Sequence, residues 1–494
     1  MTTARSFRYA LFLLLGLAAA GFKDAKLGDV AGIVEWDREG AYPDGAAALS
    51  MATTICNVGD ENIPWIPPMG EDHPGTSMAL YRELDGRLEM IGVSDMKHGF
   101  AAAVSEGACT PCLHPSDGTY LGITCSDTYY AGTNANRLYL GPRGEWDPHA
   151  GTWECTGSHF SGGVPDCYRR HRDPAHPPLV HRLAAKDEDL GVSGATYSYE
   201  AYCVVRGDMD KSNNVAWRSC SMSWDGSVWQ FTTTDPGDPP VWEPRIESWG
   251  EMQTQADLEP ADGSVTLAVQ TTDLGGGNWA YEYALYNLDL DRAVRSFSIP
   301  VSASATVGGL EFHDPDLVDT NEWSVTVSGG VISWSTDEYA VNPGANALGF
   351  GVLYNFRFEA DVAPVSSQVD LGLFKPGTPT TLSMVTLGPS TVATTVGAEA
   401  PDGAFRLLQN SPNPVGRQTA IRFMLAGDAP AELEIFDTRG RRVRDLSHEN
   451  SAAGEHVVRW DATDEHGARV APGVYYYRLR VGRSVQARTM IVVE

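Results

Sequence analysis

The sequence predicts an all-β protein: a disulfide-braced β-rich N-terminal region, a middle β-sandwich and a C-terminal immunoglobulin-like domain. Two observations carry this prediction. Apolar and polar residues alternate in short runs, as in residues 77–82 (SMALYR) and 87–92 (RLEMIG), which is the period of a half-buried strand. The 51 Gly and 30 Pro, with 13 Trp and 19 Tyr, supply turns and strand formers for many short strands, and long amphipathic helical patterns are absent. The 494 residues are enough for two to four domains.

Residues 1–20 read as a secretory signal peptide. Arg5 and Arg8 give the positive end, residues 9–20 (YALFLLLGLAAA) the apolar stretch, and Ala18, Ala19 and Ala20 the small residues before a cleavage site. The stretch is short for a membrane span, and no other segment approaches transmembrane length. The mature chain is therefore expected to have no transmembrane span. All eight cysteines (Cys56, Cys109, Cys112, Cys125, Cys155, Cys167, Cys203 and Cys220) fall in one region of this exported chain, so all eight are expected in disulfides. Each of the pairs Cys155–Cys167 and Cys203–Cys220 flanks a short loop or hairpin, and these are the expected bridges. The other four would pair among themselves.

Residues 26–242 form the cysteine-containing β-rich region, which also holds eight of the twelve histidines. Asp85-Gly86 between two alternating runs is a hairpin signal. A second hairpin is expected from 197–205 to 215–224. The Pro- and Asp-rich stretch 233–244 (TTDPGDPPVWEP) reads as a boundary. Residues 245–374 alternate again, with Gly275–Gly277 and Gly329-Gly330 as turns, and are expected to form the sandwich. Residues 375–403, rich in Thr, Ser, Pro, Gly and Ala, read as a linker.

From residue 404 a small β unit follows, with strict alternation at 420–425 (AIRFML) and 431–436 (AELEIF), a turn at 437–440 (DTRG), and strands at 456–460, 474–480 and 489–493. Its period and turn spacing are immunoglobulin-like. Four motifs fall in order: Asn410-Ser-Pro412-Asn413-Pro414; Ile435-Phe-Asp437-Thr-Arg-Gly440-Arg-Arg-Val443; Ala453-Gly-Glu-His-Val-Val-Arg-Trp460-Asp461; and Gly473-Val-Tyr475-Tyr-Tyr-Arg-Leu479. With these motifs, residues 407–494 resemble the C-terminal sorting domain of the type IX secretion system, which is itself similar to the immunoglobulin-like domain of the flagellar hook-capping protein. The resemblance implies a Gram-negative envelope and recognition by outer-membrane secretion machinery. It also implies release or attachment at the outer cell surface, with cleavage in the upstream linker. The chain departs from that family in ending Val493-Glu494, where members often end on a basic residue.

The formal charge is −28. The segment from Ala404 carries 13 Arg and 11 acids, so the acidity lies ahead of it. A surface of that sign repels phosphate backbones, and nucleic acid is not an expected partner. Within the acidic region, Cys109-Thr-Pro-Cys112-Leu-His114 lacks the His directly after the second Cys that c-type haem attachment needs, and reads as structural disulfide cysteines. His73, His98 and Asp127, near Lys97 and Tyr129, are the candidate catalytic set, because His with a carboxylate can do acid–base work or hold a metal. No H-E-x-x-H or G-x-S-x-G spacing accompanies them. His171, His176 and His181 sit five apart, which suits neither one helix face nor one strand face. Asp208, Asp210, Ser212 and Asn214 place side-chain oxygens at alternate positions, so Ca²⁺ is the candidate ligand there; a full EF-hand loop is not present. Two functions follow as expectations. One is an exported or cell-surface protein with a binding or structural role, its Tyr and Trp contacting glycans or other surface components. The alternative is a secreted hydrolase centred on His73, His98 and Asp127.

Overall fold

A computed structural model describes residues 22–390 and 405–492, apart from 66–72, 100–103, 106–108, 110, 113–117, 162–176, 236, 238, 259–261, 408–409, 411–414, 416–417, 426–428, 438–440, 447, 453, 472 and 482–483. The signal segment 1–20, His114, His171 and His176 lie outside these residues. The described chain is all-β, as its alternation predicts.

Four sheet layers stack through residues 22–390. The outermost sheet holds Ala25–Glu39, Ala46–Asn57, Ser126–Tyr129 and Val104–Ser105, with Leu183–Lys186 also on Ala46–Asn57. The next runs in the order Leu140–Gly141, Met96–His98, Gly75–Leu84, Thr196–Val204, Val215–Trp224, Trp229–Thr233, with Arg87–Val93 paired to Gly75–Leu84. Successive strand residues point to opposite faces. Met78 and Leu80 therefore enter the core shared with the first sheet, among Leu49, Trp65 and Tyr199. Ala79 and Tyr81 face the sandwich on the side of Ala284, Tyr286 and Leu353, and join a second core that continues beyond that sheet among Tyr283, Phe297, Trp334 and Phe356. That second core fills the sandwich. One of its sheets contains Met252–Asp257, Ser264–Gly275, Asn278–Asn287, Val352–Ala360 and Val307–His313; the other runs Ser324–Ser328, Val331–Ser335, Val294–Pro300, Val365–Leu373, Thr381–Gly388.

The second sheet thus belongs to both cores, and polar contacts tie it to the sandwich. Arg87 pairs with Glu89, Glu282 and Glu311 at 3.2, 3.1 and 2.9 Å. Asn355 Nδ2 donates to the Leu88 carbonyl at 2.7 Å. The Pro-rich crossing is itself docked: Val241 and Trp217 exchange backbone hydrogen bonds at 3.0 Å, and Arg245 donates its backbone N–H to Glu200 and its guanidinium to Glu83.

The linker expected over 375–403 begins later than its composition implies. Thr381–Gly388 (TLSMVTLG) is a strand paired along its whole length with Val365–Leu373, and its Leu382 and Met384 are buried in the sandwich core. Thr381 and Ser383, which read as linker, are the exposed positions of an alternating strand, while Thr386 is buried on the same side as Leu382 and Met384. After it, Phe405–Leu407, Thr419–Leu425 and Gly454–Trp460 form one sheet of the C-terminal domain. Arg442–Asp445, Ala429–Asp437, Gly473–Val481 and Ser484–Val492, with His448–Ser451, form the other. Leu407, Ile421, Phe423, Leu433, Trp460 and Tyr477 belong to a core made only from this domain.

The disulfides differ in part from expectation. Cys56 bonds Cys109 and Cys112 bonds Cys125, so these four do pair among themselves. Cys155 is disulfide-bonded, and Cys167 lies outside the described residues. Cys203 and Cys220 are free, buried thiols, which corrects the expected bridge between them. The reason is register. Cys220 stands opposite Tyr197, while Cys203 lies six residues further along that strand beside Asn214. Six strand residues span roughly 20 Å, and a disulfide needs Cα atoms within about 7 Å.

Candidate functional site

The predicted histidines meet through a short strand. Met96–His98 pairs with Gly75–Leu84 so that His98 stands opposite Gly75, two residues from His73. Glycine is required at two points of close approach. A Cβ at Gly75 would lie 2.7 Å from the Trp146 ring, and one at Gly141 would lie 2.5 Å from the Phe160 ring. Their absence lets the aromatic rings close over the histidines.

His73 Nε2 and His98 Nδ1 are 2.9 Å apart. Trp146 Nε1–H points at His98 Nε2 at 3.3 Å, and Trp153 Nε1–H at His73 Nδ1 at 3.2 Å. The two Trp residues face each other across the short pair Trp146–Asp147 and Thr152–Trp153, and Phe160 packs edge-on to His98 at 4.5 Å. The histidines are 1% and 0% exposed. Two indole N–H groups and two neutral imidazoles bring four ring protons to three N···N contacts. A further proton on either ring finds no acceptor along this line. Burial, then the neighbouring His73, Lys97 and His159, hold His98 well below the ordinary histidine range. A general base must take up a proton and reach its substrate; this pair is built against both.

Asp127 does not join them. Lys97 and His98 are neighbours on a strand and point to opposite faces, and Asp127 belongs with Lys97. The Lys97 ammonium donates to the His98 carbonyl at 2.8 Å and lies over the Tyr129 and Tyr139 rings at 4.8 and 5.1 Å. Burial pushes Lys97 down to about 7, against the opposing charge of Asp127. Lys97 and Asp127 come from different sheets and are 1% and 2% exposed. They form a buried electrostatic tie between layers. The expected proximity to Lys97 and Tyr129 therefore holds for Asp127, while the catalytic set divides into two separately buried groups. This counts against a hydrolase centre made of His73, His98 and Asp127.

Sequence reasoning missed the surroundings of the pair. His181 Nδ1 lies 2.6 Å from Asp95 Oδ2, and its ring centroid is 4.8 Å from that of His159. Burial raises the Asp95 pKa, but the His181 hydrogen bond and Arg143 outweigh it, leaving the carboxyl below its usual range. A second unforeseen group is Glu200, 2% exposed where the second sheet meets the sandwich. It accepts from Tyr81 Oη at 2.9 Å and from the Arg245 backbone N–H at 2.6 Å. Burial pushes its carboxyl up to about 7. The sequence signal for the aromatic cover was present in Trp146-Asp147 and Thr152-Trp153 flanking Gly151, a turn with φ of +67°.

The calcium candidates are arranged as a turn. Asp208 accepts from the Ala25 and Asp210 backbone N–H groups at 3.2 Å and from Asn214 Nδ2 at 2.9 Å, which fixes the start of strand Ala25–Glu39. Burial pushes Asp208 up to about 7. The Ser212 side chain lies outside the described residues. Among the described residues, no group of three or more His, Cys, Asp or Glu is placed to hold a metal ion. No described helix is long and apolar enough to cross a membrane.

In the C-terminal domain, Trp460 is buried and donates to the Thr463 carbonyl at 2.9 Å. Tyr475 packs 5.9 Å from it and donates to the Ala471 carbonyl at 2.8 Å. Asn410 is buried, its backbone N–H donating to Tyr477 Oη and its side chain to Thr419 Oγ1. Asp437 ends the strand Ala429–Asp437 opposite Tyr475, and Gly473 opens Gly473–Val481. Pro412, Asn413, Pro414 and Gly440 lie outside the described residues. Residues 412–484 match the family model of the FlgD Ig-like domain. No curated protein matches the chain. Among solved structures, latent PorU from Porphyromonas gingivalis aligns with 95% of this chain at 11% identity and a TM-score of 0.22, the chain spanning 34% of PorU. PorZ, described as a surface component of the type IX secretion system of the same organism, aligns with 97% of this chain at 11% identity and a TM-score of 0.15, over 61% of its own length. The Actinomyces fimbrial adhesin FimA aligns with 49% of this chain at 10% identity and a TM-score of 0.15, over 98% of its own length. At scores this low no activity is taken from these structures.

Proposed function

We propose that this chain is an exported protein that acts at or beyond the outer surface of a Gram-negative cell. In this reading the C-terminal immunoglobulin-like domain is the address read by outer-membrane secretion machinery, and residues 22–390 have a binding or structural role. The observation that carries the reading is the C-terminal domain: it matches the FlgD Ig-like family and holds a hydrophobic core of its own, separate from those ahead of it. The disulfides support passage through an oxidising compartment, as does the leader-like sequence of residues 1–20. Exposed aromatics support a binding role. Tyr42 is 43% exposed and stacked on Trp224 at 4.5 Å, and the Arg38 guanidinium lies 4.8 Å above the same Trp ring. Such a platform suits the apolar face of a sugar ring. Removing residues 404–494 is expected to abolish surface delivery, measured by protease accessibility on intact cells. Unchanged delivery would sink the sorting role. A glycan array probed with the full chain and with Tyr42→Ala tests the binding role separately.

A further inference from the structure

The strand Ser324–Ser328 is an edge of its sheet, paired only with Val331–Ser335 among the described strands. Natural edges are blunted by charge, proline or cover, because unpaired backbone N–H and C=O groups recruit another strand. This edge has none of those protections. Residues 324–336 (SVTVSGGVISWST) carry no charge and no proline, in a chain of net charge −28. All five residues of the strand are exposed. Val325 and Val327 stand opposite Trp334 and Ile332, both fully buried, so they point to the core side of the sheet. Yet they are 36% and 48% exposed, since the edge overhangs the core.

We propose that two copies of this chain pair antiparallel through Ser324–Ser328. The sequence Ser-Val-Thr-Val-Ser reads the same in both directions about Thr326. A two-fold axis at Thr326 sets Thr326 against itself, Val325 against Val327 of the second copy, and Ser324 against Ser328. A symmetric interface requires this self-complementarity, and Thr–Thr and β-branched cross-strand pairs are favourable ones. The overhanging valines cover one another, and the outer backbone groups gain partners. The palindrome decides between a second copy and other occupants. Two bodies of −28 repel over most of their surfaces, and the uncharged hairpin is where they can approach. The pairing joins two five-stranded sheets into one. It is independent of how the protein is delivered.

Sedimentation velocity of the full chain tests this, with three variants. The wild type is expected at twice the monomer mass. Val327→Lys sets a charge against Val325 of the second copy on each side of the axis and is expected to yield monomer; its far-UV circular dichroism should be unchanged, because the side chain it replaces is half exposed. Thr326→Cys is expected to form an intermolecular disulfide on mild oxidation. Ser324→Cys is not, because its two copies would lie about 13 Å apart along the paired strands, beyond disulfide reach. A monomeric wild type, a dimer indifferent to Val327→Lys, equal cross-linking at 324 and 326, or a ladder of higher species would each overturn the proposal.

Discussion

Glu200 shows how a single buried carboxyl ties pH to stability. In the folded chain its pKa is raised from 4.5 to about 7 by burial, so the fold favours the neutral acid. The stability it contributes is complete below the unfolded value and is lost as pH rises through about 7. Glu200→Gln keeps an acceptor for the Arg245 N–H and removes the titration. Urea midpoints measured across this range should show the wild type losing stability relative to Glu200→Gln as pH rises. Parallel curves would refute the assignment. The His73–His98 pair makes the complementary point. The same residue types that suggest acid–base chemistry in a sequence are here a proton-saturated line between two indoles, and only the neighbours distinguish the two cases.

Hairpins were the most legible elements. Asp85-Gly86 occupies a two-residue turn with φ of +53° and +80°, joining Gly75–Leu84 to Arg87–Val93 with Leu84 opposite Arg87. Asp and Gly tolerate that left-handed backbone, which is why the pair can be read locally. The hairpin from Thr196–Val204 to Val215–Trp224 was equally legible. What could not be read was register and face. Bridging Cys203 to Cys220 requires them to be opposite, and grouping Asp127 with His98 requires one face of a strand; both are set by long-range packing. The thiols give a direct test. Burial pushes Cys220 up to about 12, and Cys203 higher still. Alkylation followed by peptide mapping should label neither in the native chain and both after denaturation without reductant. Failure to label either one in the denatured chain would mean that it is bridged.

At the scale of the molecule, residues 22–390 and the C-terminal domain hold separate cores. Calorimetry should therefore resolve two transitions. Trp460→Ala, which removes a fully buried indole, should destabilise the C-terminal one by ~3–5 kcal/mol and leave the other in place. A single transition that moves as a whole would show the cores to be coupled. Within residues 22–390 the situation is reversed, because the Pro-rich crossing is not a hinge. One sheet is shared by two cores, and Arg245, Val241 and Arg87 lash the crossing and the sandwich to it. Residues 22–390 are thus one block rather than a string of separable domains. A block of that many residues measures on the order of 50 Å across, and once its disulfides have closed it cannot be threaded in sections. Any carrier that moves it outward after folding must offer an aperture of that width.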